Sequence, residues 1–183
     1  LNDPLLTVWK MILDRVPISR LRLDQKTFAA EGMRELFWTR LEALGIPRER
    51  VELTCSQPHW LAYQDIDITL DCWPHNSGTT TIESLWMGVP VLSKVDRPSM
   101  GCMGASILQP LALECWLAED ETAYIGKAVA YASDLTALAQ LRGSLRQRFE
   151  RSSFLDAAAC TQKMEAAYRL MLEKNDCANE SLE

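Results

Sequence analysis

The run Asn76-Ser77-Gly78-Thr79-Thr80-Thr81 places small and hydroxyl-bearing residues where an apolar helical repeat, Ile82, Leu85 and Trp86, begins. The first amides of a helix have no internal partner, and the macrodipole adds about half a positive charge at that end. Small residues let an anion approach the backbone, and threonine hydroxyls add donors. Gly78, Thr79, Thr80 and Thr81 therefore read as a phosphate cradle without lysine. The alternative is that the Ser and Thr residues only cap the helix. Glu83 follows Thr79 by one helical turn and can share its face. A carboxylate there is unsuited to phosphate, but it suits the paired hydroxyls of a ribose. The alternative is a solvated helix glutamate.

The two histidines, His59 and His75, both fall in loops beyond predicted strands. His59 can donate to a diphosphate or flank a base. His75, with Asn76 and Ser77, can reach a bound sugar or an acceptor. Surface or capping histidines are the alternative for both.

The elements that must hold these residues are legible from periodicity and punctuation. Asp3-Pro4 predicts a helix start with an Asp cap and Pro at the first helical position. Leu5, Leu6, Val8, Trp9, Ile12 and Leu13 follow at helical spacing until Pro17. Residues 19–23 read as a strand. Residues 31–44 read as a helix closed by Gly45, and 51–54 as a short strand. A loop and short helix over 57–64 lead to a buried strand at 66–70. A turn-rich loop, a helix over 79–87 ended by Gly88 and a strand at 89–92 come next. Helices then dominate: a run from Ala105, followed by 122–132, 134–151 and 156–174. Such β/α alternation predicts an α/β fold, a Rossmann-like parallel sheet flanked by helices with a helical C-terminal segment. Ligands bind beyond the carboxyl ends of such strands, so the site belongs in the loops after Leu53, Leu70 and Leu92. One domain is expected over 1–174, with a polar tail over 175–183 that frays.

Composition narrows the function classes. A length of 183 residues suffices for one domain and is short for two. Apolar residues at 48% and charged residues at 24% are ordinary globular usage. A net charge of -6 argues against a nucleic-acid partner. The six cysteines form no C-x-x-C pair, which argues against zinc and for the scattered reduced thiols of a cytoplasmic protein. No apolar run is long enough for a bilayer, and the start lacks a signal-peptide pattern. The start lies inside an element pattern, so the chain reads as part of a longer protein.

Taken together, Asp67-Ile68-Thr69-Leu70-Asp71, Asn76-Ser77-Gly78-Thr79-Thr80-Thr81 and Glu83-Ser84-Leu85-Trp86-Met87-Gly88-Val89-Pro90-Val91 resemble the donor-site signature of the O-linked N-acetylglucosaminyltransferase (SPINDLY-like) family, bacterial tetratricopeptide-repeat members above all. Asp96-Arg97-Pro98-Ser99 and Gly104-Ala105-Ser106-Ile107-Leu108 are similar to the family's next loop and helix. Leu141-Arg142, Leu145-Arg146, Ser152-Ser153 and Glu165-Ala166-Ala167-Tyr168-Arg169 are similar to its closing helices.

The resemblance implies a GT-B fold, two Rossmann-like halves facing a cleft, with this chain as the C-terminal half that grips UDP-N-acetylglucosamine. It implies transfer to Ser or Thr hydroxyls of proteins, with inversion and without a metal or other cofactor. Thr79 and Thr80 would contact the diphosphate, Glu83 the ribose, and His59 would be the loop histidine of the donor site. The partners implied are the N-terminal half of the catalytic region, upstream tetratricopeptide repeats and a protein acceptor. The sequence departs from the pattern at Gly78, where animal members carry histidine, and at Ser56 and Ala62, where a lysine and an arginine are usual. Cys102 replaces another usual arginine. The family's phosphate-binding lysine would fall just before Leu1. The competing readings are a non-catalytic nucleotide-sensing or protein-docking module, and another UDP-sugar-using GT-B enzyme.

Overall fold

The structure is a computed structural model that describes residues 1–97 and 99–180, the side chains of 174–180 excepted. Helix α1 (Asp3–Arg15) is capped one residue earlier than Asp3: Asn2 has extended backbone angles, and its Oδ1 accepts from the Leu5 N–H at 2.9 Å. Asp3 lies instead in the first turn, where its charge favours the dipole. Leu5, Leu6, Val8, Trp9, Ile12 and Leu13 bury one broad face.

Strand β1 (Leu21–Asp24) leads through α2 (Glu31–Ala43) to β2 (Val51–Thr54), which pairs parallel with β1, Leu21 opposite Val51. Gly45 turns the chain out of α2 at φ 70°. A 3-10 turn, His59–Asp65, precedes β3 (Thr69–Leu70), which is shorter than the strand expected over 66–70. Its ladder runs along one edge only: the Thr69 and Asp71 N–H groups donate to Pro90 O and Leu92 O, both at 2.9 Å.

Helix α3 (Thr79–Trp86) ends at Gly88, φ 79°, and β4 (Val91–Lys94) begins at Val91 rather than Val89. Pro90 lacks an N–H for the ladder. Helix α4 (Met103–Leu108) then crosses to β5 (Leu117–Ala118), a strand absent from the sequence reading. Strands β3, β4 and β5 form a parallel three-stranded sheet beside the parallel β1–β2 pair.

The chain closes with α5 (Glu121–Ser133), α6 (Leu135–Glu150) and α7 (Ala157–Glu180). Asp120 and Asp134 cap the first two of these through the amides of Ala123 and Ala137. Helix α5 packs against α1, β4 and β5, and α6 against α3. The core is therefore continuous from Leu5 and Trp9 through Val91 and Leu92 to Tyr124 and Leu145. Helical backbone runs past Lys174 to Glu180. Residues 181–183 of the expected tail, and Pro98 of the quoted loop, lie outside the described residues.

Candidate functional site

Asp71 shapes the loop between β3 and α3. Its Oδ1 accepts from the Cys72 N–H at 2.9 Å and the Ser77 N–H at 2.8 Å, and its Oδ2 accepts from Ser93 Oγ at 2.6 Å. Burial pushes the carboxyl above the usual carboxylate range, against the pull of those hydrogen bonds. Gly104 lets α4 close on this cluster: a Cβ there would lie 2.0 Å from Ser93 Oγ and 3.2 Å from Asp71 Oδ2.

Two predicted site side chains belong to this scaffold. Asn76 is fully buried, and its Nδ2 donates to Cys72 O at 2.8 Å and Lys94 O at 3.3 Å. With its amide committed to the loop, it is not free to meet a sugar or an acceptor. Thr81 is also fully buried, and its hydroxyl donates to Ser77 O at 2.8 Å. Only its main-chain N–H remains for a ligand.

The opening of α3 is left bare. Gly78 occupies the N-cap position and no side chain caps the helix. The Ser and Thr residues thus do not serve as the cap that sequence left open. The N–H groups of Gly78, Thr79, Thr80 and Thr81 find no acceptor among the described residues. Thr79 and Thr80, the first two residues of α3, are exposed at the same end.

Glu83, half-buried one turn along, is reached from the 3-10 turn after β2. Its Oε1 lies 3.2 Å from His59 Nε2, and its Oε2 accepts from the Tyr63 hydroxyl at 3.4 Å. That hydroxyl also lies 3.4 Å from Thr80 O. Burial, reinforced by the Glu83 charge, pushes the Tyr63 phenol up, so it remains a donor at neutral pH. The fold brings His59, Thr79, Thr80 and Glu83 together and leaves His75 exposed in the loop, outside this hydrogen-bonded group.

Tyr63 and Asp71 carry roles that sequence reasoning did not assign. The one signal for Asp71 was its place at a strand end before a run of small residues. Tyr63 offered none. At the departures from the family pattern, Ser56 is tied to the end of β1: its N–H donates to Asp24 Oδ1 at 3.1 Å and its hydroxyl to Asp24 Oδ2. Burial opposes ionisation of Asp24, but the bonds from Ser56 and Thr54, with Arg22 nearby, hold its carboxyl below the usual range. Cys102 Sγ donates to Asp96 O at 3.2 Å.

Parallel strands joined by helices, with loops gathered beyond their carboxyl ends, define the Rossmann-like half of a GT-B fold. The structure matches that of a mutant of the Thermobaculum terrenum O-GlcNAc transferase with a TM-score of 0.86 and 32% identity, over 93% of this chain and 34% of that one. The chain belongs to Glycosyl transferase family 41, whose profile matches residues 1–164. It is 39% identical over 175 residues to the probable UDP-N-acetylglucosamine--peptide N-acetylglucosaminyltransferase SPINDLY of Solanum lycopersicum, covering 93% of this chain and 19% of that protein. It is 38% identical over 178 residues to the protein of the same name in Arabidopsis thaliana, covering 95% of this chain and 20% of that one. The chain thus spans about a fifth of the length of these curated relatives. Among the described residues no helix is long and apolar enough to cross a membrane.

Proposed function

We propose that this chain is the donor-binding half of an inverting glycosyltransferase that passes N-acetylglucosamine from UDP to Ser or Thr hydroxyls of proteins. The observation that carries the reading is the uncapped start of α3, where four main-chain N–H groups and the hydroxyls of two exposed threonines have no partner among the described residues. Family membership and the names of the SPINDLY relatives support the same donor and acceptor classes.

As the glycosidic bond to UDP breaks, negative charge grows on the β-phosphate. The amides of Gly78 to Thr81 and the Thr79 and Thr80 hydroxyls are fixed donors beside the place that charge would occupy. Removing one preorganised donor from an acyl-transfer site costs roughly 2.7–4 kcal/mol, which sets the scale. Glu83 takes the ribose. His59 and Tyr63 each engage one of its oxygens, and each oxygen keeps a lone pair for a sugar hydroxyl. The base for the acceptor hydroxyl is assigned to the other half of the catalytic region or to the substrate.

Calorimetry with UDP tests the cradle. The Thr79→Ala, Thr80→Ala double variant should bind more weakly than the parent, and equal affinities would sink the assignment. For Glu83, UDP and its 2′-deoxy analogue should bind the parent differently and Glu83→Ala alike. A panel of UDP-sugars identifies the sugar. One observation favours a second reading, a non-catalytic nucleotide-sensing module: Ser56, standing where the family pattern has a cationic side chain, spends its hydroxyl on Asp24. Donor hydrolysis or transfer by the full-length protein separates the two.

A further inference from the structure

Tryptophan is a large side chain that folding buries over most of its surface. Trp9, Trp38, Trp73 and Trp116 follow that rule, each 8% exposed or less, and Trp86 is half-buried. Trp60 does not: it is 51% exposed, and Leu61 beside it is 41% exposed. Trp60 is the second residue of the 3-10 turn His59–Asp65. Side chains three residues apart eclipse in such a turn, so Trp60 shares a face with Tyr63, whose hydroxyl reaches Glu83 Oε2 and Thr80 O. The His59 ring meets the indole edge to face, with centroids 5.3 Å apart, while its Nε2 lies 3.2 Å from Glu83 Oε1. The exposed indole thus stands one side chain away from the Glu83 carboxylate.

We propose that Trp60 is the platform for the donor's nucleobase and holds the base by its flat face rather than reading its edge. The inference rests on the assignment of the ribose to Glu83 and of the diphosphate to the α3 opening. In a nucleoside diphosphate the base and the diphosphate leave the ribose at opposite ends, and the base is joined to the carbon next to the one that bears the 2′-hydroxyl. With the hydroxyls on Glu83 and the phosphates at Gly78 to Thr81, the base falls beyond Glu83, toward the His59 turn. The exposed indole is the flat apolar surface of that turn. An aromatic ring stacks on any base, because every base has a π-face. Reading an edge needs hydrogen-bonding groups, and the side chains near Trp60 in sequence have little to spare. Ser56 donates its hydroxyl to Asp24, Gln57 Nε2 donates to Cys55 Sγ at 3.8 Å, and Leu61 and Ala62 are apolar.

The test is calorimetry on the parent chain, Trp60→Ala and Trp60→Phe with UDP, CDP and ribose 5-diphosphate. CDP presents an amine at the base edge where UDP presents a carbonyl, and ribose 5-diphosphate has no base. UDP and CDP should bind the parent within about threefold of each other, and each at least about fivefold more tightly than ribose 5-diphosphate, the lower limit for stacking one base on an aromatic side chain. Trp60→Ala should bring UDP and CDP down to the level of ribose 5-diphosphate and leave the affinity for that ligand unchanged, which shows that the variant is folded and its cradle intact. Trp60→Phe should keep most of the difference. A UDP advantage that survives Trp60→Ala, as it would if the indole only packs against another polypeptide, overturns the platform and leaves the cradle standing. CDP outside the expected range of UDP overturns recognition by the face. A parent that binds none of the three ligands overturns the donor site itself, and the platform with it.

Discussion

Asp71 and Asp24, each at the carboxyl end of a parallel strand, are two carboxylates whose environments push them in opposite directions, and the difference can be read as stability against pH. Asp71 is buried, and burial raises its pKa in spite of three hydrogen bonds. A carboxyl whose folded pKa lies above its unfolded value of about 3.9 contributes stability that is full below that value and is lost as pH rises through the folded pKa. Asp71→Asn keeps Oδ1 for both amides and turns an amide NH2 toward Ser93. Melting temperatures of the parent should therefore fall relative to Asp71→Asn as pH is raised from 4 to 7, and parallel curves would show that Asp71 ionises there without cost. Asp24 is the reverse case. Hydrogen bonds from Ser56 and Thr54 outweigh the opposing effect of burial and lower its pKa. Its contribution is present above about pH 3.9 and is lost as pH falls through the lower folded value. Asp24→Asn should flatten the acid limb of the stability curve, which urea titrations between pH 2 and 5 would measure.

At the scale of elements, α3 is useful because its neighbours hold it open. Helix α4 closes against β4 and the Asp71 loop through Gly104, where any side chain would meet Ser93. Gly104→Ala should destabilise the fold by about 1–3 kcal/mol through overpacking. It should also weaken UDP binding, because the loop that ends at Gly78 hangs from Asp71; denaturant melts and calorimetry on one sample would show both losses. Gly88, at φ 79° and with an added Cβ 3.3 Å from Arg142 O, makes the same point at the other end of α3. A single residue forced into that left-handed region costs about 1–2 kcal/mol. These helix ends were legible because positive φ selects glycine, and Gly45 and Gly88 stand where the apolar periods stop. The bare α3 start was legible for a related reason: small residues before an apolar period mark a helix opening.

Other elements left less trace. Strand β5 has two residues, too few to show a period. Asn2 won the cap from Asp3 by local backbone geometry that composition does not encode. Tyr63 and Asp71 could not be assigned roles because their partners lie far along the chain: Tyr63 meets Glu83, and Asp71 meets Ser93, only after β3 and β4 pair. Asn76 and Thr81 share the composition of the cradle, and only burial separates them from Thr79 and Thr80.

At the scale of the whole molecule, the question is what half a cleft can do. Thr79, Thr80 and His59 are all exposed, so in this chain the α3 opening faces solvent. Preorganised donors act strongly only where water is excluded; in an open crevice each bond to phosphate replaces one to water, and its net contribution shrinks to about 1.5–3 kcal/mol for a charged partner. The acceptor hydroxyl also needs a base within hydrogen-bond reach, and the side chains gathered at this opening, His59, Tyr63 and Glu83, are bonded to one another and assigned to the donor. The chain alone should therefore bind UDP weakly and neither hydrolyse UDP-N-acetylglucosamine nor pass the sugar to a peptide. Joined to the other half of the catalytic region, it should bind more tightly and transfer. Calorimetry and radiolabelled transfer, run side by side on the chain and on the longer protein, measure both steps. Turnover by the chain alone would move the base into this half and reassign the His59–Glu83 pair from holding ribose to handling a proton.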